Sequence, residues 1–162
     1  MSNKEILEQK MGEAIGLEKA AQVAVDELSA KGLLNKGNMK DKLQNMKKQA
    51  SNHQTNLEDF VQVLSESEGL SSMNIQNAAQ ETEQKAAEIM KTYLGEDPDS
   101  SEAIEFLCLA EGGEVTHYEV LNAIAKGVRN KKFGTKVKAI LAEEKRHLQL
   151  CTRLAKQTAT TA

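Results

Sequence analysis

The sequence predicts an all-α domain: an antiparallel four-helix bundle with one short extra helix between the second and third long helices. Three observations lead there. Apolar residues recur at the spacing of amphipathic helices over most of the chain. Aromatic residues are scarce, with three Phe, two Tyr and no Trp, whereas the good helix formers Ala, Leu, Glu, Lys and Gln abound. A single Pro in 162 residues leaves almost no forced helix break.

The first helix is expected over residues 3–30, closing at Lys31-Gly32, a cation and a glycine of the kind found at helix C-termini. The linker GLLNKGN leads to a second helix over 39–67, which stops at Gly69. Ser71 or Ser72 can cap a shorter third helix that ends at Leu94-Gly95. The segment GEDPDSS holds the only Pro and marks the main break. Ser100 or Ser101 is expected to cap a fourth helix over 101–129, and the turn NKKFG leads to a fifth over 135–156. Residues 1–157 therefore read as one bundle and 158–162 as a flexible polar tail.

Several classes of function are disfavoured. A net charge of −3 gives no ground for a nucleic-acid or anionic-membrane partner. The start MSNKEILEQK lacks the apolar stretch of a signal peptide, and no run of about 18 apolar residues could span a bilayer. Cys108 and Cys151 are isolated, without metal or redox spacing. A cytoplasmic location is the expectation. Glycine-rich phosphate loops and Ser-His-Asp arrangements are absent as well.

The informative feature is what lies on the apolar stripe of each long helix. In the first helix Leu7, Met11, Ala14, Glu18, Ala21, Val25 and Leu28 alternate by four and three, the spacing of a bundle seam. In the second the same alternation runs Met39, Leu43, Met46, Ala50, His53, Leu57, Phe60 and Leu64. In the fourth it is read as Ala103, Phe106, Ala110, Gly113, His117, Val120 and Ile124, with Glu114 flanking it. In the fifth it runs Val137, Ile140, Glu144, His147, Cys151 and Leu154. All three histidines of the chain thus fall on predicted seams, each near mid-helix.

Buried acids must be paired, hydrogen-bonded or bound to a cation. Carboxylates and imidazoles meeting at one level of a bundle fit a pair of divalent metals, which carboxylates bridge and neutral imidazoles complete. Dinuclear iron and manganese bundles take one Glu from each of two helices and a Glu-x-x-His from each of the other two. This chain offers EVTH, Glu114 to His117, and EKRH, Glu144 to His147. Glu18 adds a single carboxylate and His53 an imidazole, with Ala50 where a Glu would complete a third such pair. The candidate ligands for iron or manganese are therefore Glu18, His53, Glu114, His117, Glu144 and His147. The alternative is a buried polar layer that fixes helix register without metal, in a bundle acting as a structural or interaction module.

The chain also resembles the ferritin-like stress proteins of the YciE/YciF type. The resemblance is carried by GLEKAAQVAV, HQTNLEDFVQVL, THYEVLNAIA and AILAEEKRHLQLCTRLA, above all by the His117-Tyr118-Glu119 step and the double acid Glu143-Glu144. It implies a ferritin-like fold, a homodimer, a dinuclear metal centre and a role in stress, related to oxygen or peroxide. Two positions depart from the family pattern. Ala50-Ser51 stands where a Glu-Thr step is usual, and Thr116 stands where an acid often precedes the HYE step.

Overall fold

The computed structural model describes residues 1–161 and contains five helices and, among those residues, no strand. They are α1 (Asn3–Ala30), α2 (Met39–Glu68), α3 (Ser72–Leu94), α4 (Ser100–Ala125) and α5 (Lys131–Thr160). None is long and apolar enough to cross a membrane.

Local chemistry sets the helix ends. Ser2 and Glu5 close α1 with a reciprocal capping box, and Asp99 and Glu102 do the same for α4. The cap of α4 is thus Asp99 and not either serine. Gly69 ends α2 in the left-handed conformation, φ 68°, which its missing Cβ permits. The start of α3 is held by Glu8 of α1, whose two oxygens accept from the Ser71 N–H and the Asn74 side chain.

The directions of the helices follow from their cross-links. Lys47 pairs with Asp26 and His53 with Glu18, so α2 runs antiparallel to α1. Gly12 faces Ile75 and Ala78 while Gly16 faces Ala79 and Thr82, so α3 runs parallel to α1. A Cβ on Gly12 would collide with the Ile75 carbonyl oxygen, which explains glycine at this crossing. By returning along the bundle, α3 delivers the chain to the end where α2 began. From there α4 and α5 form a second antiparallel pair. Backbones approach closely between α1 and α2, α4 and α5, and α1 and α4, and α2 meets α5 through the His53–Glu144 and Gln49–His147 side-chain contacts. These four helices make the bundle, and α3 lies outside it against α1.

The structure adjusts three expectations. The intervening helix has 23 residues, so it is shorter than its neighbours without being short. The fourth helix ends at Ala125, and Asn130 caps a fifth that begins four residues before the expected start, with Phe133 buried in its first turn. That fifth helix also continues through Thr160 with Thr158 buried, so most of the predicted tail is helical. The last residue of the tail, Ala162, lies outside the described residues.

The core has two apolar parts. One gathers Leu7, Met11, Leu57, Leu121, Phe133 and Val137 near the start of α1. The other gathers Leu28, Leu43, Met46, Ile104, Leu107 and Leu154 at the opposite end. Polar side chains separate them.

Candidate metal centre

Midway along the bundle, Glu18, His53, Glu111, Glu114, Glu144 and His147 are all buried, none more than 4% exposed. Each of the four bundle helices contributes: Glu18 from α1, His53 from α2, Glu111 and Glu114 from α4, Glu144 and His147 from α5. Two compact triads emerge, Glu18–His53–Glu144 and Glu111–Glu144–His147, each with donor atoms within 4.8 Å of one another. Glu144 belongs to both. Its Oε1 is 3.0 Å from Nδ1 of His53, and its Oε2 is 3.5 Å from Nδ1 of His147.

Both imidazoles have the same orientation. Each turns Nδ1 toward the shared carboxylates and Nε2 toward an outer partner. His53 Nε2 is 2.6 Å from Glu143 Oε1, and His147 Nε2 is 2.6 Å from Gln49 Oε1. Outer partners of this kind fix ring orientation and leave the inner nitrogen available to a cation. Tyr118 donates from its hydroxyl to Glu18 Oε2 at 2.8 Å and so orients that carboxylate.

The electrostatics are those of an over-charged cavity. Burial, then the charge of Glu144, pushes Glu18 up to about 7. Burial pushes Glu111 up to about 8, against the opposing influence of the neighbouring His147 imidazole. Burial and the charges of Glu111, Glu144 and Glu18 hold Glu114 far above the carboxylate range. Glu144 is the exception: burial opposes its charge, but the adjacent His147 and His53 imidazoles outweigh it and keep the carboxylate ionised. Burial likewise opposes charge on the histidines, yet their carboxylate partners raise His53 to about 10 and His147 to about 9.

Hydrogen bonding leaves the cluster incomplete. Glu18 Oε1, Glu111 Oε2, Glu144 Oε2 and both oxygens of Glu114 are buried without a donor. Native proteins rarely leave several such atoms together, because each unpaired group costs roughly 1–3 kcal/mol. Four carboxylates and two neutral imidazoles balance the charge of two divalent cations, and oxygen and nitrogen donors suit iron or manganese. The donor set fits the group.

Glu18, His53, Glu144 and His147 are thus brought together as the seam spacing predicts. Glu114 is buried beside them but belongs to neither triad. His117 is not brought to the cluster. Its Nε2 donates to the Lys10 carbonyl at 3.0 Å, and its Nδ1 lies 3.6 Å from Glu13. The cause is a phase error of one residue in α4. The buried stripe runs Ile104, Leu107, Glu111, Glu114, Tyr118, Leu121 and Ala125, while Gly113 and Val120 are exposed. Glu111 was the ligand candidate missed, and its signal was the Glu111-Glu114 pair at i, i+3 within an otherwise apolar stripe.

No protein-family model, curated protein or solved structure matches the chain.

Proposed function

We propose that this chain is a ferritin-like metal-binding protein whose bundle core holds a carboxylate-bridged pair of iron or manganese ions. The observation that carries this is the convergence of six buried donors from four helices with five carboxylate oxygens unpartnered. Glu144 would bridge the two sites, with Glu18 and His53 completing one and Glu111 and His147 the other. Ala50 removes the carboxylate expected from α2. Glu114 is a fourth acid next to Glu18, Glu111 and Glu144 and offers a substitute ligand from α4.

The topology supports the ferritin-like part of the proposal: two antiparallel pairs joined by a connection that returns the length of the bundle. With it come the stress-related role and the homodimer that the YciE/YciF resemblance implies. A redox-active metal pair supplies one-electron and oxygen-directed chemistry when bound. The protein's own contribution is to exclude water from the layer, orient both imidazoles through Glu143 and Gln49, and hold Glu18 through Tyr118.

A metal-free polar layer is favoured by one observation, the direct His53 pairs with Glu18 and Glu144. Metal analysis separates the two. About two equivalents of iron or manganese per chain are expected to co-purify and to be lost in Glu144→Ala with His147→Ala. Metal added to the stripped wild type should raise its melting temperature. A wild-type chain that takes up neither metal and gains no stability from them would leave only the structural layer.

A further inference from the structure

Glu114 faces a second feature. Between α1, α3 and α4 lies a pocket of ≈ 370 Å³ in which Glu114 is the only polar residue. Six of its lining residues are alanines and one is Gly113, so small side chains on three helices leave the space unfilled. It opens to solvent beside Val23, Ile89 and Leu109, all about half exposed. At its inner end Glu114 is 2% exposed with neither oxygen hydrogen-bonded.

The lining restricts what can enter. Alanine, leucine, valine, isoleucine, methionine and phenylalanine side chains offer no hydrogen bonds. The backbone adds none, because every lining residue sits inside a helix whose amides and carbonyls bond one another. A sugar, nucleotide or small ion would shed its water there without compensation. An alkyl chain would not. The volume lies within the roughly 300–1,000 Å³ of small-molecule sites and exceeds the roughly 150 Å³ of an apolar cavity that takes benzene.

We infer that this pocket binds the aliphatic part of the molecule on which the centre acts, with its reacting end beside Glu114. This rests on the metal centre proposed above. It adds the substrate class, an uncharged aliphatic compound, and the approach, between α1, α3 and α4.

Gly113 allows a test that spares the proposed ligands and the core. A Cβ there meets nothing within 4 Å, so a larger side chain is accommodated and stands over the pocket. Calorimetric titration of the metal-loaded full chain with 1-octanol should show saturable binding. Gly113→Ala should keep it within about twofold and Gly113→Phe should weaken it about tenfold or more, with metal per chain unchanged in all three. No binding by the wild type, or equal binding by Gly113→Phe, overturns the inference whatever the metal content. So does a wild-type dimer that binds no octanol and that Gly113→Phe dissociates, since the face is then an interface between copies. Octanol binding blocked by Gly113→Phe in a chain that takes up no metal leaves the pocket assigned and removes the centre.

Discussion

The two ends of the bundle and its middle are built on opposite principles. At the ends, Leu28 and Leu57 are fully buried among apolar neighbours, and each contact there is stabilising in its own right. In the middle, the same seam positions carry acids and imidazoles whose burial is unfavourable unless something joins them. The backbone does not distinguish these regions, since all four helices pass through both without a break. Stability resides in the ends, and burial of the polar middle layer costs part of it.

The largest effect should come from the ends. Leu28→Ala and Leu57→Ala should each lower the unfolding free energy by about 2–5 kcal/mol in denaturant titration, with or without metal. In the middle the sign should reverse. Glu114→Leu replaces an unpartnered buried acid with an apolar side chain of similar size. The stripped protein should become about 1–3 kcal/mol more stable while its metal uptake falls. If Glu114→Leu destabilised the stripped chain as strongly as Leu57→Ala does, the contrast would collapse and the layer would be ordinary packing.

Much of this contrast is legible in the sequence, and the exception has a physical reason. On α1 and α2 one ionisable residue, and on α5 the Glu144-His147 pair, interrupts a longer apolar stripe, so the stripe fixes the phase and the acid or histidine follows it inside. On α4 two acids and a tyrosine occupy consecutive seam positions. Hydrophobicity then favours the neighbouring stripe through Ala110 and Gly113, whose small residues in fact line an open pocket. A polar layer this dense conceals its own helix face. The helix ends around residues 126–130 differ from the expected ones because Asn130 caps earlier than the glycine of the NKKFG turn suggests.

The smallest effect is a pH slope, and it too belongs to the middle. Glu18 and Glu111 titrate in the folded chain at about 7 and 8, above their usual 4.5, so the stability associated with their protonated forms is lost as pH rises through those values. His53 and His147, raised to about 10 and 9, lose theirs in the same direction on becoming neutral. Glu144 acts oppositely, but only in acid below its usual range. The melting temperature of the stripped protein should therefore fall between about pH 6 and about pH 9. Metal affinity should rise over that window, because ligands bind deprotonated. Scanning calorimetry on Glu111→Gln should show a flatter slope, and an unchanged slope would locate the titrating groups elsewhere.

The return path of α3 divides the chain into two blocks, α1 to α3 and the α4–α5 hairpin, joined through Gly95 to Asp99. Glu18 and His53 sit on the first block, and Glu111, Glu114, Glu144 and His147 on the second. The Glu111–Glu144–His147 triad lies wholly on the second block, whereas the Glu18–His53–Glu144 triad takes side chains from both. An ion held by that shared triad would latch together two halves that must first dock, which would couple cation supply to assembly of the fold.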